Sequence, residues 1–315
     1  MNNDPCLQQP IKVHKNDIIN NYEVLDGIGK GGFSFAAKGL NILEQDPNKK
    51  IVTLKFVDTG RKGYTCEQIK RYTNSEITIL KKINRYCGSV SCYYDSFYYG
   101  TYIVLVSKYI PGHPLDSFNE IQLDALNILW VKILLDTLYN LHYIGVTHND
   151  IKGSNIIFDT SINRPVFIDF GLSTCTDELC KNRGTAGYKA PEINNRNSDT
   201  RAIDVFALGV TLLKIKYKRI VLAKDVADTD WILSAQRFIK KNNPMIAAFL
   251  DIDPNIRYLN FLKAKREGPH TDFKFTVPAI VNGPPLTPKK VIPIVNGPPL
   301  LKKTVRTVRK RPKSV

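Results

Sequence analysis

The strongest restriction on how this chain folds is a single carboxylate in apolar company. Along "EQIKRYTNSEITILKKIN" (67–84), Ile69, Tyr72, Ile79, Leu80 and Ile83 recur at helical spacing, and Glu76 falls inside that stripe. A helix over about 66–84 therefore buries an acid. A lone buried carboxylate costs several kcal/mol unless a cation meets it. In the strand-like "IVTLKFV" (51–57), alternation sets Val52, Leu54 and Phe56 on one face, with Thr53 and Lys55 on the other. Lys55 is then either a solvated edge residue or the partner that Glu76 requires. The second choice satisfies both residues, ties a strand to a helix and aims an ammonium at any phosphate held beside them. A purely structural ion pair is the competing reading.

The rest of the chain divides around that pair. Between residues 22 and 110, "YEVLDGIG", "FSFAAKGL", "KIVTLKFV" and "YIVLVSKYI" read as short strands separated by turn material such as "EQDPNKK". From 115 to 265 the pattern turns helical, apart from short strands around "NIIFD" and "PVFIDF". A small strand-rich lobe followed by a larger helical lobe predicts a cleft between them. The boundaries read as an N-terminal extension over 1–21, a first lobe over 22–110, a second over 111–268 and a tail over 269–315. The most apolar run, "IQLDALNILWVKILLDTLYNL", is broken by Asp124, Lys132 and Asp136, so it reads as a buried helix and not a membrane span.

Short motifs place chemistry in that cleft. "GIGKGGFSFAAKG" (27–39) is glycine-rich, which alone is equally a plain turn. No Gly-Lys-Ser/Thr closes it as in a Walker A loop, and it bridges two strands instead of opening a helix as a dinucleotide site needs. It suits a flap whose backbone N–H groups face phosphates. "THNDIKGSN" (147–155) sets Asp150, Lys152 and Asn155 after the long apolar helix, and "FIDFGL" ends a strand at Asp169. Asn155 and Asp169 are the oxygen donors that suit Mg²⁺ shared with phosphates.

Taken together, these motifs resemble the eukaryotic-type Ser/Thr protein kinases over about residues 22–266. The glycine-rich loop is Ile28–Ala36, "VTLK" ends at Lys55, "HND" stands for the usual HRD, "DFG" is Asp169–Gly171 and "APE" is Ala190–Glu192. "DVFALG" starts at Asp204, and "DPNIR" ends at Arg257, which is similar to the family partner of Glu192. Lys152 and "GTAGYKAPE" resemble Ser/Thr rather than Tyr kinases. The "HNDIK" loop is similar to that of kinases carried by some large DNA viruses of insects.

The resemblance implies an α+β, bilobal kinase fold with a small antiparallel sheet lobe, one helix in it, and a larger helical lobe. It implies ATP and Mg²⁺ as cofactors and protein Ser/Thr hydroxyls as acceptors. Asp150 would orient the acceptor and take its proton, and Lys152 would steady the γ-phosphate. Lys55 would hold the α- and β-phosphates with Glu76 behind it, while Asn155 and Asp169 would hold Mg²⁺. Nucleotide contacts would come from Ile28, Gly29, Lys30, Gly31, Gly32, Phe33, Ser34, Ala36, Thr53, Lys55, Lys108, Ile110 and Ile157, with Ser107 as a small residue at the back of the pocket.

Several departures from the family pattern follow. Ser34 replaces a loop glycine, while Ala36 and Thr53 exchange volume across the adenine roof. Asn149 replaces the Arg that helps to receive a phosphate on the activation segment, and Asn offers no charge for a phosphate dianion. The expectation is an active enzyme that does not need that phosphorylation. A pseudokinase scaffold is the alternative, as is a nucleic-acid-tethered binding protein acting through its tail.

The tail carries most of the charge. Of the net +16, residues 273–315 hold +10 and residues 1–272 the remaining +6. "IVNGPPL" occurs at 280–286 and again at 294–300, and "KKTVRTVRKRPK" packs seven Lys or Arg into 302–313. A Pro-rich basic stretch of this kind reads as extended chain. Residues 287–315 would engage nucleic acid or an import receptor, or remain simply solvated. The six Cys (6, 66, 87, 92, 175, 180) show no C-x-x-C spacing and read as free thiols. With no signal-like N-terminus, the expectation is a soluble intracellular protein without membrane contact, and the basic tail adds the nucleus as a destination.

Overall fold

In the computed structural model, residues 4–31, 34–118, 128–175, 183–195, 198–217 and 223–268 are described. The tail from 269 lies outside them, as do Gly32, Phe33, Thr176 and Cys180. The first lobe is one antiparallel sheet of β1 (Ile18–Ile19), β2 (Tyr22–Lys30), β3 (Ser34–Asn41), β4 (Ile51–Asp58), β5 (Tyr93–Tyr99) and β6 (Tyr102–Lys108), in the order β1-β2-β3-β4-β6-β5. Strand β4 is therefore internal, with β3 on one side and β6 on the other, which rules out the solvated-edge reading of Lys55. Its alternation is as expected: Val52, Leu54 and Phe56 are fully buried in an apolar layer with Val104 and Val106. Lys55 points from the opposite face.

After the one-turn helix α1 (Pro47–Lys50), that opposite face is covered by α2 (Cys66–Ile83). The helix starts at a capping box, in which Thr65 Oγ1 accepts from the Gln68 N–H and Gln68 Oε1 accepts from the Thr65 N–H. Its buried face holds Ile69, Thr73, Glu76, Ile79, Leu80 and Ile83. Tyr72 does not belong to it: the residue is 56% exposed, with its ring edge-on to Tyr64. The apolar stripe is thus narrower than the sequence pattern, because Thr73 turns inward at the position that Tyr72 was expected to share.

The second lobe is built around α4 (Thr200–Tyr217), whose residues are buried on nearly every side. It packs against α7 (Pro244–Phe249) and α8 (Pro254–Glu267), and α8 also meets α3 (Ile128–Tyr143). Gly209 permits the closest approach, since a Cβ there would lie 2.9 Å from Phe249 Cβ. Helices α5 (Ala223–Ala227) and α6 (Thr229–Lys240) complete the lobe. Two small sheets line its upper surface. Strands β7 (Gly112–Pro114), β9 (Ile156–Asp159) and β10 (Arg164–Phe167) form one, and β8 (Val146–Thr147) pairs with β11 (Thr174–Cys175) in the other. The expected two-lobed α+β arrangement is the one that forms. Among the described residues, no helix is long and apolar enough to cross a membrane.

The cysteines depart from expectation. Cys6 is bonded to Cys66 and Cys87 to Cys92, which leaves Cys175 as the free thiol among the described residues. Spacing along the chain could not show the first bond, because it closes only when the N-terminal extension folds back onto α2. An ion pair seals the same contact: Lys70 Nζ donates to both oxygens of Asp4, at 3.1 and 3.0 Å. The bond spans 60 residues of sequence, for which chain-entropy arguments give about 2–4 kcal/mol. Replacing Cys6 and Cys66 by Ser should therefore lower the midpoint of thermal unfolding under non-reducing conditions. With excess dithiothreitol the two proteins should melt together; equal midpoints without reductant would show that the bond contributes nothing.

Candidate active site

Lys55 and Glu76 are placed by the middle of a strand and of a helix, and Asp150, Asn155 and Asp169 by the ends of short strands. Central strand β4 carries Lys55 to the floor of the cleft, and α2 presents Glu76 to it. Lys55 Nζ donates to Glu76 Oε1 at 2.6 Å and to Asp169 Oδ1 at 2.9 Å. Burial opposes the Lys55 charge, yet the two carboxylates outweigh it and raise its pKa. Burial pushes the Glu76 carboxyl upward, with Lys55 acting against that rise. The Lys55 ammonium beside Asp169 holds that carboxyl down at about 2. A depressed carboxylate stabilises the fold above its ordinary pKa of about 4, and that contribution fades as pH falls toward 2. Asp169 takes a left-handed backbone conformation, φ 58°, which turns its carboxylate into the cleft with the side chain 49% exposed.

The loop between β8 and β9 supplies the second group. Asp150 Oδ1 accepts from Thr185 Oγ1 at 2.6 Å. Its Oδ2 accepts from Lys152 Nζ at 2.7 Å and Asn155 Nδ2 at 3.0 Å. Lys152 also donates to Thr185 Oγ1 at 2.7 Å, closing a ring of three side chains around the carboxylate. With its amide nitrogen committed to Asp150, Asn155 is left with its carbonyl oxygen to offer to a cation.

Asp204 fixes this loop from below. Fully buried near the start of α4, it accepts from the backbone N–H of His148 at 2.8 Å and of Asn149 at 2.7 Å. Asn149 has φ 63°, a left-handed conformation that Asn tolerates better than most residues. Its amide nitrogen donates to Leu172 O at 3.0 Å and Thr174 Oγ1 at 2.9 Å. Ser173 Oγ donates to His148 O at 3.1 Å. The segment after Asp169 is thereby stitched to the Asp150 loop by neutral hydrogen bonds. In the sequence Asn149 stood out only as a missing cation; its role in holding the segment shows only with its φ of 63° and its partners in place.

Between the lobes lies a cavity of about 730 Å³, a size suited to a small-molecule cofactor. Ile28, Gly29, Lys30, Gly31, Ser34, Ala36, Thr53, Lys55, Ser107, Lys108, Ile110 and Ile157 line it, together with Lys152, Asn155 and Asp169. Gly32 and Phe33 lie outside the described residues. Phe35, Leu80 and Leu105 also line it and were missed, because their positions in β3, α2 and β6 looked like ordinary core, as does Tyr109 just past the end of β6. The Lys108 N–H already donates to Cys92 O at 2.9 Å, so that amide is not free to meet a base.

Comparison with known proteins gives this arrangement a family. The chain is 26% identical over 262 residues to the serine/threonine-protein kinase D of Synechocystis, covering 76% of this chain and 50% of that protein. It is 32% identical over 218 residues to the probable serine/threonine-protein kinase 2 of Plasmodium falciparum, covering 66% of this chain and 39% of that protein. To the serine/threonine-protein kinase chk-2 of Caenorhabditis elegans it is 25% identical, covering 78% of this chain and 56% of that protein. The chain thus spans about half the length of the curated relatives it matches. The protein kinase domain family matches residues 22–258. Because that stretch takes in every residue gathered around the cleft, the chain belongs to the protein kinase domain family.

Proposed function

We propose that this chain is a protein kinase that transfers the γ-phosphate of ATP to Ser or Thr hydroxyls of proteins, and that it needs no phosphate on its own activation segment. The reading is carried by the ring of Lys152, Thr185 and Asn155 around Asp150, facing Asp169 and Lys55 in one cleft. ATP with Mg²⁺ fits the donor set. Asp169 Oδ1 is taken by Lys55, and its Oδ2 and the Asn155 carbonyl are hard oxygen ligands on one side of the cavity. When bound, MgATP supplies the transferable phosphoryl group. Asp150 orients the acceptor hydroxyl and takes its proton, and Lys152 places a cation beside the oxygen that attacks. Lys55, held by Glu76, offers its remaining N–H to the phosphates, and the glycine-rich turn between β2 and β3 covers them. The test is a phosphate-transfer assay on acidic and basic protein substrates with and without Mg²⁺, comparing wild type with Asp150→Ala. No transfer by the wild-type protein to any substrate would overturn the reading.

Independence from phosphorylation rests on Asn149. Where an Arg would wait for a phosphate, the Asn149 amide already holds Leu172 and Thr174. Ser173 and Thr174 are 3% and 1% exposed, so neither can be modified unless that segment first opens. Phosphatase treatment should leave the rate within about threefold, under ~1 kcal/mol. Asn149→Ala should cost more, about tenfold in kcat. It removes two hydrogen bonds and leaves a side chain poorly suited to positive φ. Collapse of activity on dephosphorylation, with Asn149→Ala unaffected, would reverse this assignment.

The basic run at 302–313 lies outside the described residues, and its role is part of the same proposal. Its charge supports contact with nucleic acid or an import receptor, and through the latter a nuclear location, once the chain is inside a cell.

A further inference from the structure

Beside the catalytic ring stands a lysine that the chemistry above does not use. Lys214, near the end of α4, lies with its Nζ 3.7 Å from the centre of the Tyr188 ring. Among the described residues, no carboxylate comes within ion-pair distance of it. Tyr188 belongs to the wall of the acceptor site: its N–H donates to Thr185 O at 3.1 Å, and the Thr185 hydroxyl donates to Asp150. The charge of Asp150 is felt at the Tyr188 hydroxyl, so Tyr188 and the Lys214 ammonium on its ring stand near the residues that flank an acceptor at Asp150, which are spaced at about 3.3–3.6 Å per extended residue.

The charges around that path are lopsided. From Arg183 to Pro191 the segment carries Arg183 and Lys189 and no acid, and the next acid, Glu192, is buried against Arg257. Among the described residues, the anion that acts on Lys214 is Asp116, which is exposed and screened by solvent. Burial pulls the Lys214 pKa down, while Asp116 works against that fall. A cation half withdrawn from water, with an aromatic face as its neighbour, gains most from an anion that arrives with the substrate.

We propose that Lys214 is a specificity-determining residue that selects acceptor segments bearing a carboxylate side chain next to the Ser or Thr, so that the enzyme acts on acidic sequences. The inference rests on the kinase reading above and names its substrate class. A basic flanking residue would meet the Lys214 ammonium and be repelled.

The experiment compares kcat/KM for matched acceptor peptides in which one flanking residue is Glu, Ala or Lys, moved in turn through the positions on each side of the acceptor. At one position or more, Glu should exceed Lys by about tenfold or more, chiefly through KM. Lys214→Glu should invert that order, Lys214→Met should erase it, and Lys214→Arg should keep it. Each ratio is measured on one enzyme preparation, so partial loss of folded protein cancels. No transfer to any peptide would overturn the kinase reading itself. Transfer with no preference for Glu, or a preference that survives in both Lys214→Glu and Lys214→Met, would overturn this inference alone.

Discussion

Replacing Asp150 by Asn is expected to slow phosphate transfer by roughly 10³-fold, about 4 kcal/mol in the barrier. The substitution keeps the shape of the side chain and removes both its charge and one acceptor. In the native protein the two carboxylate oxygens receive three donors, from Thr185, Lys152 and Asn155. An amide has a single oxygen, so its NH₂ must face at least one of those donors and the ring opens. It also has no site to take the acceptor's proton. Nucleotide binding should survive, because Lys55, Glu76 and Asp169 are untouched, and a titration with a fluorescent ATP analogue would show it. Lys55→Met should fail in the complementary way, losing nucleotide affinity together with rate. If Asp150→Asn kept a wild-type rate, the assignment of the base would be wrong.

The largest expected effect on stability comes from Arg257. Its guanidinium is fully buried, donates to Glu192 Oε1, to Ala202 O at 2.9 Å and to Asp251 O, and lies over the Phe206 ring. Burial lowers the Arg257 pKa and raises that of Glu192, and each charge opposes the shift of the other. Arg257→Met strips those partners and leaves Glu192 as a buried carboxylate without a counter-charge. Breaking such a pair from one side costs about 3–5 kcal/mol. For a domain of this size that is a fall in Tm of order 10 °C. The double variant with Glu192→Met should regain part of the loss, since removing both charges removes the uncompensated one. A single variant that melts within a degree or two of wild type would show that the pair contributes little.

What the sequence determined by itself was whatever depends on short-range periodicity or on one residue demanding another. Alternation in "IVTLKFV" oriented Lys55, helical spacing around Glu76 buried an acid, and those two facts required each other before any fold was known. The motif order then assembled Asp150, Asn155 and Asp169 at strand ends. Tertiary structure alone decided the rest. Asn149 became a latch because Asp204, 55 residues away, pins its backbone where only positive φ fits. Cys6 met Cys66 because the extension folds back onto a helix that begins there. Tyr72 lost its place in the core to Thr73, and Lys214 found Tyr188 across two elements. Periods of 2 and 3.6 residues say which face a side chain takes, but not which distant segment closes over that face. Those distant approaches are set by how helices and strands pack, and several of the hydrogen bonds and charges that shape this site arise from them.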